Sequence, residues 1–105
     1  MMETQTIREE LHDILVEVLG SSNVYYNPPE NLKMKYPAIV FHRNNIKNTF
    51  ADDIPYKQTC SYSVTVIDED PDSEIVNKLS LIPMCNYEQH FTSNGMNHDV
   101  FIINF

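Results

Sequence analysis

Tyr56-Lys57-Gln58-Thr59-Cys60-Ser61-Tyr62-Ser63-Val64-Thr65-Val66-Ile67-Asp68 runs into the acidic stretch Glu69-Asp70-Pro71-Asp72-Ser73-Glu74, and from there into Ile75-Val76-Asn77-Lys78-Leu79-Ser80-Leu81-Ile82-Pro83. Tyr62, Val64 and Val66 alternate with Ser61, Ser63, Thr65 and Ile67. One strand face is therefore apolar and the other mostly hydroxyl-bearing, the period-2 pattern of a half-buried antiparallel strand. Cys60 extends the apolar face and Asp68 closes the element. The turn that follows reads as a helix start. Asp70 is placed to cap, Pro71 suits the first helical position, and Asp72 and Glu74 sit where the helix dipole favours negative charge. Ile75, Leu79 and Ile82 recur at helical spacing until Pro83 stops the helix.

The remaining elements pack on, or extend, this strand and helix. Thr6-Ile7-Arg8-Glu9 reads as a capping box, and Ile7, Leu11, Ile14, Leu15 and Val18 form one apolar stripe ending at the C-cap residue Gly20. Val24-Tyr25-Tyr26 is a short strand stopped by Asn27-Pro28-Pro29. Tyr36 to Arg43 is another, with Pro37 at its start, Ile39 and Phe41 on one face, and Ala38, Val40 and His42 on the other. Asn44-Asn45 predicts a turn and Ile46 to Ala51 a further strand, followed by a loop tip at Asp52-Asp53-Ile54-Pro55. Cys85, Tyr87, Gln89 and Phe91 alternate with Asn86, Glu88 and His90. Asn94-Gly95 is a strong two-residue hairpin signal. The last strand is expected over His98 to Phe105, so that the chain's final carboxylate lies at a sheet edge or an interface.

The order helix, strands, helix, two strands predicts a single α+β domain over residues 1–105, with an antiparallel or mixed sheet carrying both helices on one face. At ~3.3 Å per residue, Tyr56 to Asp68 spans ~40 Å, longer than a compact domain of this size needs. The excess points to a long projecting β-hairpin. The second sheet face keeps Ser61, Ser63, Thr65, Ile67, Val100 and Ile102, a half-apolar surface suited to subunit packing.

The chain has 7 basic and 15 acidic residues, a formal net charge of -8. Such a surface repels nucleic-acid phosphates and argues against sequence-specific duplex binding. Glu3, Glu9 and Glu10 interrupt any signal-peptide h-region, and no apolar run approaches the ~18 residues of a membrane span. A reducing cytoplasm with Cys60 and Cys85 as free, buried thiols is expected, with pairing left open if the two lie opposite each other.

Chemical signatures are sparse. Asp68, Asp70, Asp72 and Glu74 resemble a calcium loop, but that template needs glycine where Ser73 stands and glutamate where Leu79 stands. A helix cap accounts for the same carboxylates. His12, His42, His90 and His98 form no zinc-type spacing with the cysteines. A cysteine–histidine nucleophile would be adjacent only in space, so the sequence leaves it open. Phosphate-cradling loops are excluded with only 2 Gly, Gly20 and Gly95. The tyrosines and phenylalanines on the strands lack the basic groove of a base-stacking platform and read as core or interface residues. No catalytic residue, metal ligand or cofactor is assigned.

Lys35-Tyr36-Pro37-Ala38-Ile39-Val40-Phe41, Tyr62-Ser63-Val64-Thr65-Val66-Ile67-Asp68, Asp70-Pro71-Asp72-Ser73-Glu74 and Asn97-His98-Asp99-Val100-Phe101 together resemble the small tail terminator (tail-completion) proteins of long-tailed phages and prophages of Gram-positive bacteria. The resemblance implies a non-enzymatic virion protein of the tail neck, made in the host cytoplasm. Its subunits assemble as a homo-oligomer, typically a hexamer. The ring sits on the last ring of tail tube protein, ends tube growth and meets the head connector, while DNA passes through without specific binding and no membrane is involved. Ring contacts are then expected around Asp52, Asp53 and Tyr56 and at strand edges near Asn97, His98 and Phe101, with Lys33 or Lys35 opposite Asp52-Asp53 as a cross-subunit charge pair. Head-tail joining proteins of the same neck have similar length and fold class. An acidic inhibitor-like module presenting Asp68–Glu74 to a basic partner is a further reading, and a small hydrolase using Cys60 or Cys85 another.

Overall fold

The computed structural model describes the backbone of residues 4–29, 31–51 and 54–104, and the side chains of these residues outside 4–7, 47–51 and 54–59. Helix α1 spans Thr4–Leu19, and strands β1 Val24–Tyr26, β2 Ala38–Ala51 and β3 Ile54–Asp68 follow. Helix α2 spans Glu74–Ser80, with β4 Cys85–Ser93 and β5 Met96–Asn104 after it. The five strands form one mixed sheet in the order β1-β2-β3-β5-β4. β1 runs parallel to β2, and the other neighbours are antiparallel. The chain is α+β, as the element order predicts.

The alternation in β3 sets the core. Cys60, Tyr62, Val64 and Val66 are all but fully buried, beside Ile39 and Phe41 of β2 and Phe101 and Ile103 of β5. Leu11 and Leu15 of α1 and Ile75 and Leu79 of α2 join the same cluster, so both helices lie over this face. On the opposite face Ala38, Ile67 and Val100 are also buried, while Val40, Thr65 and Ile102 are half-buried. This face is more withdrawn from solvent than its hydroxyl content suggests.

Gly20 stops α1 as expected. Its φ of 79° is the left-handed conformation that glycine adopts without penalty, and its N–H donates to Val16 O at 2.9 Å. Helix α1 begins at Thr4, however, so Thr6 lies inside the first turn instead of capping it. Helix α2 also starts later than Asp70. Asp68 and Asp70 each use a carboxylate oxygen to accept the backbone N–H two residues on, from Asp70 at 3.1 Å and Asp72 at 2.9 Å. These local turns compete with helix for Asp70-Pro71-Asp72, and the cap falls to Ser73, whose Oγ accepts from Ile75 N–H at 3.3 Å.

Two interruptions expected to be turns or simple alternations are bulges. Asn44-Asn45 does not end a strand: β2 continues through it, with Arg43 opposite Tyr62 and Asn45 opposite Ser61, so Asn44 is the extra residue. Asn44 Nδ2 reaches Ser61 Oγ at 3.3 Å, which satisfies the side chain without a reversal. In β4, Tyr87 faces Phe101 and Gln89 faces Val100, leaving Glu88 extra. Asn94 and Gly95, at φ 52° and 75°, make the predicted tight hairpin between β4 and β5.

Candidate interaction surfaces

The residues expected at a subunit contact fall in three places. Lys33 and Lys35 are exposed in the connection between β1 and β2, and the Lys35 backbone N–H points to Tyr25 Oη at 3.4 Å. Asp52 and Asp53 lie outside the described residues, as does the side chain of Tyr56, so the expected pairing with Lys33 or Lys35 falls outside them too. Asn97, His98 and Phe101 are in β5, which is flanked by β3 on one side and β4 on the other. That stretch is therefore not a strand edge. Phe101 is fully buried and packs edge-on against Tyr87, with centroids 5.2 Å apart. Asn97 Nδ2 donates to Glu69 O at 3.1 Å, tying the hairpin to the acidic turn. His98 stacks on Phe91 at 4.7 Å, and its Nδ1 lies 3.1 Å from Met96 O.

The sheet edge on that side is β4, whose residues after Cys85 are all exposed. The bulge at Glu88 shifts the alternation, so that His90, opposite Asp99, shares a face with Tyr87, opposite Phe101. Both converge on one carboxylate. Tyr87 Oη donates to Asp99 Oδ1 at 2.8 Å, and His90 Nδ1 lies 2.8 Å from the same oxygen. Asp99 is only 6% exposed, so these contacts stand in for the water it has lost. The Tyr87 phenol is pushed above its ordinary range by desolvation first, then by its hydrogen bond to Asp99 and by that carboxylate's charge. Strict alternation along Cys85–Phe91 puts His90 on the wrong face, and nothing in the sequence marks Glu88 as an inserted residue. A carboxylate that orients an imidazole can serve acid–base chemistry. Among the described residues no hydroxyl or thiol nucleophile is hydrogen-bonded to His90, and no three His, Cys, Asp or Glu side chains gather as a metal site. The cluster locks the β4–β5 hairpin.

The two thiols are free. Both are on the core face, but Cys85 faces Ile103 of β5, which faces Tyr62 of β3, so a whole strand separates Cys85 from the strand of Cys60. Two strand spacings, roughly 10 Å, exceed the reach of a disulfide. Burial pushes the Cys85 thiol up, away from nucleophilic thiolate character.

A cleft of about 350 Å³ opens between α1 and the β1–β2 end of the sheet, lined by Arg8, Glu9, His12, Asp13, Tyr26 and Phe41. The Arg8 guanidinium lies 4.8 Å from the Tyr26 ring centroid, and Tyr26 meets Phe41 edge-on at 5.0 Å. At the other end of the sheet, the α2–β4 connection exposes Leu81 (83%) and Met84 (65%). None of these was signalled by the sequence, because an aromatic on a strand and an apolar residue after a helix both read as core.

No protein-family model matches the chain, and no curated protein matches it either.

Proposed function

We propose that this chain is a ring-forming structural subunit of a phage tail neck, a tail terminator that sits on the head-proximal end of the tail tube, ends its polymerisation and meets the head connector. The observation that carries this reading is the distal part of the β2–β3 hairpin. β1 pairs with β2 only at Ile39, Val40 and Phe41, and β5 pairs with β3 only from Ser61 to Asp68. Among the described residues, from Ile46↔Cys60 to Ala51↔Ile54 the two strands pair with each other alone. We read this ribbon as the projecting arm, in a molecule with extents of 51 × 25 × 23 Å. A two-stranded ribbon is marginal by itself in water, so its length makes physical sense where a neighbour completes it. The half-buried second sheet face adds a further packing surface. A net charge of -8 fits a ring whose lumen lets DNA slide, since an acidic wall releases no counterions on contact.

Particles made without the protein test the proposal. Overlong, headless tails are expected by electron microscopy. Tails of normal length that merely fail to join heads would move the role to head-tail joining, and normal joined particles would overturn both.

A further inference from the structure

We infer that the Leu81/Met84 knob of one copy seats in the α1–β1–β2 cleft of the next. This rests on the ring reading and names the contact that would build the ring.

The knob is built to face outward. Leu81 caps α2 with its N–H bonded back to Lys78 O at 3.3 Å, Ile82 N–H bonds to Leu79 O at 3.0 Å, and Cys85 N–H bonds to Ile82 O at 3.3 Å. Met84 O accepts from Asn104 N–H at 3.0 Å. With Pro83 lacking an N–H, the short connection is held at both ends. Ile82 turns in against the core while Leu81 and Met84 turn out. Met84 also has φ 64°, and it is the one positive-φ residue among the described ones that is neither glycine nor asparagine. That conformation belongs to the Ile82-Pro83-Met84-Cys85 turn, closed by the Cys85 N–H to Ile82 O bond, in which proline suits the second position and the third takes a positive φ; methionine costs about 1 kcal/mol there relative to glycine. The turn holds the Met84 side chain out beside that of Leu81, so the two form one exposed apolar patch.

The cleft answers the knob in place and charge. Strand order puts β1 at one sheet edge and β4 at the other. Helix α1 touches β1 and β2, α2 touches β4, and both helices lie on one face. Knob and cleft thus occupy opposite edges of the same layer, as a heterologous head-to-tail interface requires. Tyr26, half-buried on the cleft wall, offers part of its ring to a flexible methionine, which packs well against aromatic rings. Lys78 lies three residues before Leu81 and is exposed on the same side of α2. Asp13, on the cleft rim, has a side chain 87% exposed with His12 no nearer than 3.8 Å. Lys78 against Asp13 sets the register at the rim, where such a pair contributes orientation more than affinity.

The experiment measures the mass of the full chain in solution over a range of concentrations. The wild type is expected to self-associate. Leu81→Asp with Met84→Asp should raise the dissociation constant by about 30-fold or more, the loss typical of a central apolar anchor. Lys78→Glu and Asp13→Lys should each weaken association by roughly threefold, and the two together should restore it. All four positions are exposed, so circular dichroism should match the wild type, and melting should match it at concentrations where the wild type is dissociated. Association unchanged by the knob variants, or a double charge reversal as weak as the singles, overturns the inference while leaving the ring reading standing. A wild type that stays monomeric also overturns it, and the tail phenotype then judges the ring reading separately.

Discussion

Replacing Tyr62 by phenylalanine should stabilise the subunit, against the usual expectation for a buried tyrosine. Tyr62 is 0% exposed at the centre of β3, with its ring 6.3 Å from Phe41, and its hydroxyl has no hydrogen-bond partner among the described residues. A buried hydroxyl without a partner costs about 1–3 kcal/mol in lost hydration, whereas the ring's burial is the same in either residue. Losing one oxygen leaves a void too small to offset that gain. The variant should therefore gain about 1 kcal/mol, seen as a rise in Tm of ~4 °C for a chain of this size. Urea denaturation with an unchanged m-value measures it directly. The alkaline limb gives a second readout. Burial above all holds the Tyr62 phenol above its ordinary range, with Cys60 and Tyr26 adding to the effect and Arg43 and Arg8 opposing it. A pKa raised in the folded state means that stability is intact below the unfolded tyrosine range, near pH ~10, and is lost as pH climbs through the folded value. The phenylalanine variant lacks that loss, so its advantage should widen above pH ~10. A variant less stable than the wild type by more than about 0.5 kcal/mol would refute the reasoning, because it would mean that the hydroxyl is satisfied.

Ser73→Ala removes the acceptor of the Ile75 N–H and should cost about 1 kcal/mol in urea denaturation, while Asp70→Ala, away from the true cap, should cost less. Tyr87→Phe should cost about 0.5–1 kcal/mol, because Asp99 loses one of two donors on Oδ1, and hydrogen exchange should quicken in β4 before β3. Cys85, pushed up by burial, should resist alkylation at pH ~8.5 where an ordinary thiol reacts, and the subunit should lose stability as pH rises beyond that, a loss absent in Cys85→Ser. Met84→Gly relieves the left-handed backbone and should raise subunit stability by roughly 0.5–1 kcal/mol while weakening self-association.

Where the sequence repeats a period over many residues, the structure follows it. The stripe from Leu11 to Val18, its stop at Gly20, the alternation of Tyr62, Val64 and Val66, and the Asn94-Gly95 turn were all legible, because each rests on several residues or on a conformation few residues adopt. Single inserted residues were not. Asn44 looked like a turn because asparagine favours one, yet the hydrophobic pairing on either side of it held β2 and β3 together through a bulge. The bulge at Glu88 reversed the faces of everything after it and so hid the meeting of Tyr87, His90 and Asp99. The start of α2 was displaced by three residues, since Asp68 and Asp70 hydrogen-bond their own turn before they can cap a helix. The interior position of β5 depends on strand order, which periodicity does not encode, and Phe101 was therefore assigned to a surface it does not reach.

Three features of the subunit share a thermodynamic direction. The distal ribbon of β2 and β3 orders backbone without a flanking strand among the described residues. Met84 holds a conformation that glycine would adopt more cheaply, and Leu81 offers most of its surface to water. Each lowers the stability of an isolated copy, and a chain of 105 residues has little to spare. A neighbouring copy in the proposed ring would return part of these costs. A small-molecule site would return them at one place, close to the ligand. Here they fall along the distal ribbon and at the β4 edge, where Met84 O accepts from Asn104, the residue opposite Ser61 beside the ribbon's base, with a cleft at the β1 edge between α1 and the sheet. Under the proposed ring, contacts would fall on both sides of the subunit, at the β1 and β4 edges, with the ribbon reaching a neighbour.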